Sequence, residues 1–145
     1  MFTATQTINL LLVDDDPSAA GAEHGFQGGP ACVQLKVAGD GIEAYRYISG
    51  AGSYADRAAH PLPDVILLDI NIPGLTGLQF LRWLREQAPA DNRDIPVIII
   101  SAPEASAELA WADALGVYSF LLKPVKWSEF WKDLLSSGLL QSTAT

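Results

Sequence analysis

Four stretches of this chain are apolar with almost no alternation, and each ends on a polar residue. Ile8–Val13 (INLLLV) stops at Asp14-Asp15-Asp16, and Val65–Leu68 stops at Asp69, ahead of a Pro73-Gly74 turn. Ile95–Ile100 stops at Ser101, and Val117–Leu122 (VYSFLL) stops at Lys123-Pro124. Continuous apolar runs of this length, bounded by turn signals, read as strands buried on both faces of a parallel sheet. Ligands of open α/β sheets bind at the carboxyl ends of such strands, so the polar residues that close these runs are the candidates for chemistry.

Between the runs the pattern changes to that of helices. Asp16 and Pro17 suit the start of a helix over Ser18–Gln27, weakened by Gly21 and Gly25 and ended by Gly28-Gly29-Pro30. Val33–Ala38 alternates apolar and polar residues, as an edge strand does. Asp40 is placed to cap a helix with Ile42, Ala44, Tyr45 and Ile48 on its apolar side, ending at Gly50. Ala51–Pro63 reads as a loop. Leu78–Gln87 predicts a helix with Phe80, Leu81 and Leu84 as its core face. Ala88–Asp94 reads as a linker, Glu104–Leu115 as a helix stopped by Gly116, and Trp127–Leu135 as the last helix. Five alternations of strand and helix predict an α/β doubly wound, three-layer sandwich around a five-stranded parallel sheet. Residues 8–137 form that domain, with tails at 1–7 and 138–145.

Charge and composition narrow the function. The 145 residues carry a net charge of −8, which argues against direct nucleic-acid binding. One cysteine, Cys32, gives no disulfide framework and fits a reducing, cytoplasmic setting. The first nine residues lack the basic and apolar regions of a signal peptide, and no apolar run reaches the roughly 20 residues of a membrane span. His24 and His60 read as solvated surface residues.

Several carboxylates, a hydroxyl and an ammonium at one sheet edge suit one chemistry in particular. Close carboxylates repel, and the hard cation that neutralises them with the help of a backbone carbonyl and waters is Mg²⁺. Phosphoryl transfer needs a divalent ion and positioning above all, and an aspartate can accept the phosphoryl group. A lysine ammonium and a serine hydroxyl can then bond its oxygens.

The motifs LLVDDDP, DVILLDINIPG with Gly77, VIIISA and FLLKP, in that order and spacing, resemble those of response-regulator receiver domains of two-component signalling. The resemblance implies a flavodoxin-like strand order 2-1-3-4-5. It implies Asp69 as phosphoacceptor, Asp15 as direct Mg²⁺ ligand, Asp14 as holder of metal-bound water, and the Asn71 backbone carbonyl as a further ligand. By the same resemblance Ser101 and Phe120 form the switch, Lys123 pairs with the phosphoryl group, and the Lys123-Pro124 bond is cis. It also implies a histidine kinase or phosphotransfer protein as partner. Output then comes through the face made by the fifth strand and the last two helices, where Trp111, Trp127 and Trp131 suggest a homodimer. The loop GSYADRAAHPLPD is similar to that of stand-alone receivers that work with phytochrome-type kinases. The chain departs from the family pattern at Ser18–Gln27, where small residues replace the large apolar side chains beside which partners dock. A phosphorylation-independent scaffold and a small aspartyl-phosphate phosphatase are the alternatives; Asn71 stands where the phosphatase class requires a second acid.

Overall fold

The structure is a computed structural model, and it describes residues 7–15, 32–70, 77–101, 106–122 and 126–137. Five parallel strands form one sheet: β1 (Thr7–Val13), β2 (Cys32–Ala38), β3 (Val65–Asp69), β4 (Val97–Ser101) and β5 (Ser119–Leu122). Their order is β2-β1-β3-β4-β5, as expected. Among the described residues four helices accompany them: α1 (Gly41–Ser49), α2 (Gly77–Glu86), α3 (Ser106–Ala114) and α4 (Trp127–Ser137). The helix expected over 18–27 and the Lys123-Pro124 bond lie outside the described residues, as does His24.

Every residue of β3 and β4 is buried, which is why these runs carry no polar alternation. Alternate side chains feed two cores. Leu11, Val13, Ile66, Leu68, Val97 and Ile99 meet α1, α2 and α3 on one face. Ile8, Leu10, Leu12, Val65, Leu67, Ile98 and Ile100 meet Phe130, Trp131 and Leu134 of α4 on the other. The helix α2 is held by Phe80, Leu81 and Leu84, all fully buried. At about 1.5–3 kcal/mol each, these outweigh the exposed Arg82–Glu86 pair at 3.2 Å, worth a few tenths of that.

Local sequence sets the helix ends. Asp40 Oδ1 accepts the Glu43 N–H at 2.7 Å, and Gly50, at φ 75°, donates its N–H to the carbonyls of Arg46 and Tyr47. Between these caps, α1 buries Ala44 and Ile48 as expected, but not the other two residues of the expected face. Ile42 and Tyr45 are exposed, whereas Tyr47 is buried with Ala44 and Ile48. The cap fixes the register, and Tyr47 can enter because its hydroxyl donates to Pro61 O at 2.8 Å. Tyr45 instead stacks edge-on against Trp83 of α2, with ring centroids 4.6 Å apart.

The segment after α1 is more structured than its composition suggested. A 3₁₀ turn spans Gly52–Ala55, and the Arg57 guanidinium donates to the carbonyls of Tyr47, Ile48 and His60. The rings of Tyr47, Tyr54 and His60 meet one another at 5.0–5.9 Å. His60 is therefore half-buried in an aromatic cluster, not a solvated surface residue. The linker 88–94 likewise holds a short 3₁₀ turn, Ala90–Asn92, and buries Ala88 and Asn92. β5 begins at Ser119, two residues later than expected, and as an edge strand it leaves Leu122 exposed.

Candidate functional site

The carboxyl ends of β1 and β3 converge because the two strands pair in parallel, with Val13 opposite Leu68. One further step along each strand brings Asp14 beside Asp69. The Asp14 N–H also donates to Ala38 O at 3.0 Å, which extends the ladder to β2 and fixes where its side chain leaves the sheet. One carboxylate oxygen from each of Asp14, Asp15 and Asp69 lies within 4.8 Å of the others. Asp69 is buried, Asp14 half-buried and Asp15 exposed, so the cluster opens toward solvent on one side.

These residues fit a small hard cation. Oxygens around an octahedral Mg²⁺ at about 2.1 Å stand roughly 3–4 Å apart, a slight contraction of the observed cluster. Carboxylate charges held within 4.8 Å of one another repel at the effective dielectric of a protein edge. Three carboxylates at the solvent edge of a buried strand are thus an arrangement that a divalent ion relieves.

Gly77 explains how α2 reaches this site. A Cβ there would stand 2.8 Å from Asp69 O, 2.8 Å from Ile70 Cα and 3.0 Å from Ile70 O. Only a residue without a side chain lets the helix start this close to the backbone that carries Asp69.

Ser101 closes β4, one residue beyond the Asp69–Ile100 pair. It is fully buried, and its hydroxyl oxygen has no hydrogen-bond partner among the described residues. A buried hydroxyl without a partner costs about 1–3 kcal/mol, so Ser101 is suited to a state in which something else reaches it. Phe120 lies on β5 opposite Ile99, half-buried against the core that faces α1, α2 and α3. Asn71, Lys123 and Pro124 lie outside the described residues. Of the three tryptophans expected at an interface, Trp111 is 68% exposed and Trp127 half-buried, whereas Trp131 is built into the core beside Phe130. Trp131 thus faces inward, because α4 turns it toward the sheet along with Phe130 and Leu134. The close approach at Gly77 and the lone hydroxyl of Ser101 left no direct trace in the sequence beyond the residues themselves.

Comparison with known proteins agrees with this geometry. Protein PilH of Pseudomonas aeruginosa is 31% identical over 122 residues, covering 80% of this chain and 85% of PilH. Response regulator Rre1 of Synechocystis is 29% identical over 119 residues, 82% of this chain but 46% of Rre1, so the chain spans about half of that relative. The structure of the bacteriophytochrome response regulator AtBRR superposes with a TM-score of 0.74 at 28% identity, covering 97% of this chain and 99% of that one. A model of the response regulator receiver domain matches residues 10–134, a span that takes in all three carboxylates, Ser101 and every strand but the first residues of β1. This chain belongs to the response regulator receiver domain family.

Proposed function

We infer that the chain is a phosphoacceptor module of two-component signalling, in which Asp69 receives a phosphoryl group from a histidine kinase or phosphotransfer protein. The observation that carries this reading is the carboxylate cluster of Asp14, Asp15 and Asp69 at the ends of β1 and β3. Asp14, Asp15, Asp69 and the Asn71 carbonyl would hold Mg²⁺, which supplies charge neutralisation for the incoming phosphoryl oxygens. Asp69 provides the attacking oxygen, and the burial of its strand excludes competing water from one side. Ser101 donates its otherwise unpartnered hydroxyl to the new phosphoryl group, and Lys123 pairs with its charge. Movement of Ser101 toward Asp69 leaves room for Phe120 to turn inward, which remodels the face of α3, β5 and α4.

The readout is a change in binding: to a second copy through the face that carries Trp111 and Trp127, or to another protein. The similarity to AtBRR supports a phytochrome-type kinase as the partner. The single cysteine supports the reducing cytoplasm as the compartment; among the described residues no helix is long and apolar enough to cross a membrane.

The test is intact-protein mass after incubation with acetyl phosphate and Mg²⁺, beside Asp69→Asn. One phosphoryl adduct that requires Mg²⁺ and disappears in the variant supports the reading. A folded protein that takes up none overturns it in favour of a scaffold.

A further inference from the structure

The far end of α3 is fastened in an unusual way. Arg85, in the last turn of α2, donates from Nε to Leu115 O and from Nη2 to Gly116 O, each at 3.1 Å. Its Nη1 donates to Arg93 O and Ile95 O, each at 2.8 Å. Four of the five guanidinium N–H groups thus end on backbone carbonyls, and among the described residues no carboxylate forms an ion pair with this side chain. Burial lowers the pKa of its guanidinium below the ordinary arginine value, with Asp94 acting the other way. Two of the four carbonyls belong to the C-terminus of α3, where a cation is favoured by the helix dipole. The other two lead into β4. One side chain therefore ties α2, the entry of β4 and the exit of α3 together, at the sheet edge opposite the carboxylates.

The described side chains of α3 hold it lightly. From Ala110 to Ala114, Ala112 alone is buried, while Trp111 stands 68% exposed over a shallow apolar groove floored by Leu78 and Leu115. Immediately after the helix, Gly116 sits at φ 79° with no atom within 4 Å of a would-be Cβ, a left-handed turn in open space. The first residue of α3, Ser106, follows Ser101 by five positions in the chain. The helix, about 13 Å long for nine residues at 1.5 Å each, thus starts five positions after Ser101 in the chain and ends at the Arg85 clasp.

We propose that Arg85 is a positioning residue that pins the C-terminal end of α3, so that events at Ser101 swing the helix about Gly116 and carry Trp111 across the Leu78–Leu115 groove. This rests on the phosphoacceptor reading above. If the far end were free, a displacement at Ser101 would be lost in sliding of a helix whose described side chains offer one small buried anchor, Ala112. With the far end fixed, the same displacement becomes a rotation of Trp111 against α2. The basic residue in the last turn of a predicted helix is the sequence signal for such a clasp, but its targets are distant in the chain.

The experiment uses the full chain labelled with 5-fluorotryptophan, with Mg²⁺ and beryllofluoride as the probe, and reads the Trp111 fluorine resonance, assigned by its loss in Trp111→Phe. Amide hydrogen exchange is followed in parallel. In the unaltered chain, beryllofluoride is expected to shift the Trp111 resonance while exchange over residues 112–117 stays the same. In Arg85→Met, exchange over 112–117 accelerates at least tenfold with or without the probe. Beryllofluoride affinity stays within about twofold, and the Trp111 response falls below half. Arg85→Lys, which can reach fewer carbonyls, gives an intermediate response. A merely structural role would lower stability without uncoupling Trp111 from a probe that still binds. An Arg85→Met protein whose Trp111 responds fully, or whose 112–117 exchange is unchanged, overturns the proposal. Should that variant fail to fold, Gly116→Ala addresses the pivot: a damped Trp111 response at unchanged probe affinity supports the swing, and a full response overturns it. Failure of the underlying reading shows separately, as absence of beryllofluoride binding in the unaltered chain.

Discussion

Gly77→Ala is the substitution whose cost the structure specifies most closely. The added methyl would sit 2.8 Å from both Asp69 O and Ile70 Cα and 3.0 Å from Ile70 O, against ordinary contacts of 3.4 Å or more. All three atoms are backbone, so no side chain can rotate away, and either α2 or the end of β3 must retreat by about 0.6 Å. Overpacking of this kind costs about 1–3 kcal/mol, with the rigid neighbours placing it at the upper end. Against it stands the helix preference of alanine over glycine, at most about 1 kcal/mol and smaller at a first helical position. The net loss is about 2 kcal/mol. For a chain of this length each kcal/mol moves the melting temperature by about 3–4 °C, so the midpoint should fall by about 7 °C. Because the displaced atoms belong to Asp69 and Ile70, Mg²⁺ affinity should fall with it. Gly39→Ala is the control, since nothing lies within 4 Å of its would-be Cβ and its φ is not positive. Thermal melts followed by circular dichroism, with Mg²⁺ titrations by calorimetry, read both effects. A Gly77→Ala protein that melts at or above the temperature of the unaltered chain, with the same Mg²⁺ affinity, would refute the reasoning.

Three other perturbations have definite signs. Asp69→Asn removes one carboxylate from the cluster, so the rise in melting temperature that Mg²⁺ gives the unaltered chain should fall by at least half. Ser101→Ala removes a buried hydroxyl that lacks a partner and should stabilise the resting protein by about 1 kcal/mol, while weakening beryllofluoride binding in the same sample; a destabilised variant would mean that the hydroxyl is bonded at rest. Burial raises the pKa of Tyr47 above its ordinary 10.0, partly offset by Arg57, so the folded state keeps the phenol neutral where the unfolded chain ionises. That stability is fully present below pH 10 and is lost as pH rises through the folded value, so chemical denaturation midpoints should drop steeply above pH 10, and less so in Tyr47→Phe.

The strands and the site were legible for one reason: a strand buried on both faces admits almost no polar residue until it leaves the sheet. Asp69 and Ser101 are conspicuous in the sequence because Ile66–Leu68 and Ile98–Ile100 before them are not polar. What the sequence concealed depends on partners far away in the chain. Tyr47 enters the core because Pro61 O accepts from its hydroxyl, so the pattern of apolar residues placed Ala44 and Ile48 correctly but took Ile42 and Tyr45 in place of Tyr47. Arg57 and Arg85 look like surface charges, yet both spend their N–H groups on backbone carbonyls, which no side-chain pattern encodes. Trp131 was placed at the pairing face because it lies on one of the last two helices, yet α4 turns it toward the sheet with Phe130 and Leu134. The order of the strands followed from the motifs more than from the pattern, since periodicity sets which runs are strands but not which are neighbours.

The parallel pairing of β1 with β3 has a further consequence. Asp14 and Asp69 are distant in the chain, and their carboxylates meet only after two central strands have found each other across a long crossover. Such non-local contacts form late and all together in folding, since the loop between them must be closed before any pairing is rewarded. The carboxylate cluster therefore cannot form before the β1–β3 ladder does. Under the phosphoacceptor reading, Mg²⁺ binding then reports completed folding: a copy that lacks the β1–β3 ladder has no carboxylate cluster to hold the ion.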